Sequence, residues 1–275
     1  MENNNSMAGN AKDSVLKSLF ATIVIPVALV AAFIIFKYVM GNGANFEGGN
    51  PENNPLPGNY MGIIYKGGLI VPILMTLLIL VITFSIERFI TVAAAGGKGN
   101  VDGFIRRVRE SLMRGDVDAS SAECDAQKGS VGNVVRSVLA KYRELGSDNS
   151  MQKDQKVLAI QKELEEATAL ELPMLEKNLV ILATIASIST LFGLLGTVLG
   201  MIRSFAALAH AGAPDSVALA TGISEALINT AFGITTSAIA IIAYNYFTTK
   251  IDKLTYSIDE AGFSIIQTFA ATHKG

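Results

Sequence analysis

Four runs of apolar residues, each long enough to cross a bilayer as a helix, limit this chain more than any other feature. A spanning helix needs about 20 predominantly apolar residues. The runs extend from Leu19 to Phe36, from Gly68 to Ile86, from Asn178 to Ile202, and from Val217 past Glu225 to Phe247. Lys37-Tyr38 closes the first and Glu87-Arg88 the second. No ionisable side chain stands between Lys177 and Arg203, and Lys250 follows the fourth. Half of the residues are hydrophobic and 17% are charged, so a soluble enzyme is disfavoured. A net charge of −2 gives no nucleic-acid footprint. The predicted class is therefore an all-α integral membrane protein.

The first run follows a polar stretch with Lys12 and Lys17, as a secretory signal would. Its 18 apolar residues exceed the usual h-region of about 7–15, and Lys-Tyr-Val-Met-Gly after it offers no small-x-small cleavage site. It is read as a retained span. Orientation follows from basic residues, of which 14 of 22 lie between Arg88 and Lys177, whereas Gly41 to Gly67 holds only Lys66. Positive residues stay inside. The expected layout is a cytoplasmic N-terminal tail (1–18), an additional transmembrane helix (19–40), a periplasmic loop (41–67), a transmembrane helix (68–88), a cytoplasmic helical region (89–177), a core with two transmembrane helices (178–250) and a cytoplasmic C-terminal helix (251–275). Tyr38, Tyr60 and Tyr65 fall near one interface, and Tyr244, Tyr246 and Phe247 near the other.

The loop from Gly41 to Gly67 is rich in Gly, Asn and Pro and is read as a solvated connector without a site. Helical spacing recurs in the 89–177 region at Val101, Phe104, Ile105, Val108, Leu112 and Met113. It returns at Val131, Val134, Val135, Val138, Leu139, Tyr142 and Leu145, and again at Val157, Ile160, Leu164, Ala167 and Leu170. These patterns predict amphipathic helices broken near Gly115-Asp116, Gly129-Ser130 and Gly146 to Ser150. They are expected to pack with extensions of the last three membrane helices as one long bundle. The basic group Arg106, Arg107, Arg109 and Arg114 reads as a solvated face or as a contact for head groups or a partner. Cys124 is alone, and His210 and His273 lack metal-ligand spacing. No Ser-His-Asp set, Walker loop or dinucleotide fingerprint is present, so no enzyme activity, metal or cofactor is expected.

Chemistry concentrates in the last two runs. Gly193, Gly196, Gly200 and Gly233 remove side-chain bulk and permit close helix packing. Thr190 and Thr197 are seven residues apart on one face, as are Thr230 and Ser237. A hydroxyl in a membrane helix commonly bonds its own backbone; two aligned rows on consecutive helices favour a polar lining. Glu225 is an acid within an otherwise apolar run, and such groups mark functional positions by default. It is expected to meet a basic or hydroxyl partner or a hydrated entrance. No Asp or Glu occurs in residues 226–249, so a complete proton relay requires a carboxylate from another chain.

The stretches Gly193-Leu194-Leu195-Gly196-Thr197-Val198-Leu199-Gly200 and Glu225-Ala226-Leu227-Ile228-Asn229-Thr230-Ala231-Phe232-Gly233 resemble the MotA/TolQ/ExbB proton-channel family, most closely its ExbB and TolQ branch. Tyr244-Asn245 and Glu87-Arg88 match further family positions, and the resemblance covers roughly residues 68–270. It implies that Thr197 and Thr230 face a central pore and that Glu225 matches the family's acid; Thr190 and Ser237 join the proposed lining through their seven-residue spacing from these threonines. It further implies a homo-oligomeric ring of five copies in the inner membrane, enclosing single-span ExbD- or TolR-like subunits that supply a membrane Asp, with a TonB-like protein as a further partner. Two departures stand out: Thr190-Leu191-Phe192 lacks the family's proline before the glycine run, and the span at 19–36 is additional to the three-helix pattern. A flagellar-stator subunit, a non-conducting scaffold and, more weakly, a secondary transporter are the competing readings.

Overall fold

The computed structural model describes residues 20–147, 150–210 and 216–272. Every regular element among them is helical, and a single antiparallel bridge pairs Phe46 with Pro55. In chain order the helices are α1 (Phe20–Met40), α2 (Tyr60–Tyr65), α3 (Ile70–Ala95), α4 (Val101–Met113), α5 (Val117–Gln127), α6 (Gly129–Gly146), α7 (Lys153–Glu176), α8 (Leu179–His210) and α9 (Ser216–Thr272). By length and composition α1, α3, the stretch α7–α8 and α9 can each cross a membrane. The chain is an all-α membrane protein. The tail 1–18, the turn residues Asp148 and Asn149, the side chain of His210, and His273 lie outside the described residues.

The residues divide into two compact units, one comprising the chain to Ser85 with Ile181–Ala243, the other Ile86–Val180 with the chain from Tyr244 onward. In the first unit, α1 continues four residues beyond the apolar run that ends at Phe36, through a π-helical turn at Ile35–Met40. Only its small residues Ala28 and Ala32, together with Met40, are buried. The following loop is more organised than a solvated connector. Asn42 and Asn59 cap helical turns, and the Asn45 amide donates to the carbonyls of Val39 (2.8 Å) and Met40 (2.9 Å). Tyr65 stacks on Phe36 at 4.7 Å between ring centres. Asparagine side chains stand in for the backbone partners that a turn-rich segment lacks. The breaker residues concealed α2 within this loop.

The second unit has a conventional apolar core. Phe104, Val108 and Leu112 of α4, Val135, Val138 and Leu139 of α6, Ile160 of α7, and Ile258, Ile265 and Phe269 of α9 are buried together. Tyr142 meets Phe269 edge to face at 4.9 Å. Two residues of the expected faces point outward instead: Met113 is 67% and Leu170 78% exposed. Met113 follows Leu112 by one residue, about 100° around the helix, and Leu170 has drifted off the stripe defined by Ile160, Leu164 and Ala167. Helix α5 escaped the pattern reading because its inward face is Ser120, Cys124 and Gln127 rather than a large apolar stripe. Asp116 caps it by accepting from Ala119 N at 2.8 Å. Of the basic group, Arg107 pairs with Glu123 at 2.7 Å and Arg106 with Glu110 at 3.9 Å, the arrangement of a solvated face.

Arg88 is 2% exposed. Its guanidinium forks onto Glu87 (2.6 and 2.5 Å) and donates to the Leu175 carbonyl at 3.0 Å, in the last turn of α7. Thr91 and Asn178 donate to the same Glu87 carboxylate. A buried guanidinium is tolerated only when its donors are satisfied, and here two of its partners, the Leu175 carbonyl and the Met174 carbonyl at 3.5 Å, are groups that a helix end leaves free. The chain then turns at Asn178, whose φ of 67° is left-handed, a conformation Asn accepts more readily than most residues. Helix α8 follows without interruption through Thr190-Leu191-Phe192, consistent with the absence of proline there.

Candidate functional site

Helices α8 and α9 meet through glycine. A Cβ added to Gly193 would stand 3.2 Å from Gly233 Cα and 3.1 Å from the Asn229 carbonyl, and one on Gly233 would reach Ser189 O at 2.6 Å. A Cβ at Gly200 would come within 2.7 Å of Gly222 O, and Gly196 faces the Asn229 side chain directly. The backbones approach closely because both sides lack bulk, so the polar atoms of one helix come within reach of the other. Gly222, three residues before Glu225, joins this packing and was not foreseen as part of it.

The hydroxyls then separate into two classes. Ser187, Ser189, Thr221 and Thr235 each donate to the carbonyl four residues earlier in their own helix. Thr197, Thr230, Ser204 and Ser237 reach across. Thr197 and Thr230 share a hydrogen bond through their Oγ1 atoms. Thr197 also lies 3.2 Å from Gly193 O and 3.5 Å from Ala226 O, and Thr230 lies 3.4 Å from Gly193 O. Ser237 Oγ donates to Ala186 O at 2.5 Å, and Ser204 Oγ has Gly200 O at 3.1 Å and Leu219 O at 3.2 Å. Thr190 is half-buried, two turns before Thr197 on α8. A hydroxyl carries one donor and two acceptor sites, so the facing pair can exchange the direction of its hydrogen bond.

At one end of this seam, buried Glu225 accepts from Arg203 Nη1 at 2.5 Å, while the Arg203 side chain stays more than half exposed. Gly68, at φ 76°, lets the start of α3 approach this carboxylate; a side chain there would fall on Glu225. Beside it, Asn229 Nδ2 donates to Gly67 O at 2.9 Å, and its fully buried Oδ1 has no hydrogen-bond partner. Arg203 and Asn229 are the residues that sequence reasoning passed over. Arg203 stood in the sequence only as the charge that bounds the third apolar run, although two antiparallel helices joined by a short connection place a residue near the end of one beside a residue near the start of the next.

These motifs lie inside the span, residues 131–260, that matches the family model described as the MotA/TolQ/ExbB proton channel family. Over that span the chain is similar to the MotA/TolQ/ExbB proton channel family. It is 33% identical over 124 residues to the Tol-Pal system protein TolQ of Pseudomonas aeruginosa, covering 45% of this chain and 54% of that one. It is 40% identical over 86 residues to the putative biopolymer transport protein ExbB-like 3 of Synechocystis, covering 30% and 41%. A longer match, 28% over 193 residues, relates 68% of this chain to 58% of the biopolymer transport protein ExbB of Pseudomonas putida. The chain thus spans about half of these relatives or less where the identity is highest. The matched span holds Thr190, Thr197, Glu225, Thr230, Ser237 and the packing glycines, whereas α1 and the loop after it lie outside it.

Proposed function

We propose that the chain is the proton-channel and motor subunit of an ExbB–ExbD-like complex of the bacterial inner membrane, where the proton motive force energises TonB-dependent transport across the outer membrane. The observation that carries this reading is the cross-helix pair Thr197–Thr230, set in a glycine-packed seam that ends at Glu225 and Arg203. With no Asp or Glu in residues 226–249, the seam supplies hydroxyls but no acid to cycle a proton. In this reading an Asp on a single-span ExbD- or TolR-like partner completes the path, inside a ring of five copies of this chain. Each proton delivers about 2.3 kcal/mol per 100 mV of membrane potential, available for movement of the ring about the partner. The N- and C-termini and residues 89–177 lie in the cytoplasm, and Glu225 stands near the outer leaflet.

Relatives named TolQ support a second reading, the same motor serving a Tol-Pal-like rather than a TonB-like protein. Reconstitution of the chain with its single-span partner tests the shared core. Thr197→Val and Thr230→Val complexes should assemble and hold the partner while losing proton-driven activity. Full activity in the assembled double mutant would hand the lead to a non-conducting scaffold. Identifying which periplasm-spanning protein co-purifies with the complex separates the two roles.

A further inference from the structure

Within the second unit, a cavity of about 320 Å³ opens between the last turns of α3, the start of α4 and the Tyr246 to Ser257 portion of α9. Its floor is apolar, with Val92 and Phe247 buried, and Phe89 stands 58% exposed at its edge. Lys250 and Lys253, one turn apart on α9, share its rim with a single carboxylate, Asp102. Lys250 Nζ lies 5.6 Å from the Tyr246 ring centre, and the ion pairs of the described residues engage neither lysine. On α3, Ile86, one turn before Phe89, and Ile90, next to it, are also exposed. Such a site has two unneutralised cations above a greasy slot, at the level where the apolar run of α9 gives way to charge.

We infer that this cavity binds an anionic phospholipid, its phosphate on Lys250 and Lys253 and the upper part of an acyl chain against Phe89 and Val92. Inorganic phosphate shares the chemistry at the lysines, but it would leave the apolar floor empty; the lipid satisfies both. Two lysines outweigh one Asp102, so the site discriminates against zwitterionic lipid by charge. The inference rests on α3 and α9 crossing a membrane, as the proposed function does. It is independent of any proton path through Thr197 and Thr230.

The chain contains no Trp, so Phe89→Trp, or Tyr246→Trp on the facing helix, installs a sole indole reporter. The full-length protein would be placed in phosphatidylcholine vesicles doped with brominated phosphatidylglycerol or with brominated phosphatidylcholine. The phosphatidylglycerol should quench with an association preference of about fivefold. Lys250→Gln/Lys253→Gln should bring that preference close to unity, and Arg106→Gln/Arg109→Gln should leave it intact. Native mass spectrometry of the unlabelled parent and of the lysine double mutant, each checked for normal size, reads the same retention without a reporter. Equal quenching by both lipids overturns the proposal, as does a preference that survives loss of both lysines. A preference erased by millimolar inorganic phosphate would reveal a simple oxyanion site and overturn it equally. Loss of proton-driven activity in the Thr mutants with lipid preference retained would leave this site standing, whichever way the channel reading falls.

Discussion

The two units of this protein bury opposite things. Between α8 and α9 of the first unit lie Gly193, Gly196, Gly200, Gly222, Gly233, Asn229 and a set of hydroxyls, while Leu191, Leu194, Val198, Ile202 and Phe205 of α8 face outward. The second unit hides Phe104, Leu112, Leu139, Ile160 and Phe269 and displays charged pairs such as Lys162–Glu166. Removing apolar surface from water yields about 25 cal/mol per Å² and drives the second arrangement. Lipid offers no such gain to helices that already lie in it, so close backbone contact and cross-helix hydrogen bonds decide the first. The inference is that mutational sensitivity should invert from one unit to the other.

The sharpest way to break this contrast is at glycine. Gly233→Leu forces a side chain into Ser189 and Gly193 and should abolish a folded, monodisperse complex in size-exclusion chromatography. Gly103→Ala in α4, where a Cβ meets nothing nearer than 3.5 Å, should instead stabilise by about 0.5–1 kcal/mol. Large apolar residues should show the reverse order. Phe104→Ala is expected to cost about 3–5 kcal/mol through cavity formation, against about 0.5 kcal/mol or less for outward-facing Leu194→Ala; equal losses in thermal melts would end the comparison.

Polar residues in the seam should separate function from stability. Thr197→Val and Thr230→Val preserve volume and should shift stability by about 1 kcal/mol or less, yet remove most proton-driven activity. Their combination should be no worse than the worse single change because they act in one path. At the seam's end, Glu225→Ala should impair activity more than Glu225→Gln, which retains hydrogen bonding with Arg203. Arg203→Gln leaves a buried carboxylate without its cation and should be more damaging than Arg203→Gln combined with Glu225→Gln. Activity of the double variant below that of Arg203→Gln would show the carboxylate to be needed for itself.

The smallest effect concerns Cys124, whose thiol burial pushes up to about 12 from an ordinary 9.0. Held protonated in the folded state, it contributes stability that is intact below about pH 9 and is lost as pH rises towards 12. Thiol reagents at pH 8 should therefore pass it by until the protein is denatured. In the same experiment, cysteine introduced at Asn53 should label from outside intact spheroplasts, and cysteine introduced at Ser147 should not. The opposite pattern would reverse the orientation proposed here.

Much of the fold was legible because it is written locally. Hydropathy located all four long helices, and period 3.6 located the inward faces of α4 and α6, where only Met113 departed. Helix α5 was hidden because small polar residues make its buried face, and α2 because breakers surround it. The glycines and threonines of the site were visible as residue types at helical spacing. What their hydroxyls bond was not, since Thr221 and Thr230 look alike in sequence and yet one bonds its own helix and the other its neighbour.

The order of residues alone determined that this chain is helical, that it enters a membrane, and that an acid and two hydroxyl rows lie in its last two apolar runs. Hydropathy and periodicity are properties of neighbours along the chain, and any helix built from these residues carries them. Only the tertiary structure decided that Arg203 neutralises Glu225 across 22 residues, that Thr197 meets Thr230 across 33, and that Asn229 holds Gly67 across 162. Those pairings depend on how deeply one helix settles into another. That depth is set by glycines whose effect, the absence of a side chain, appears only when the facing backbone is in place.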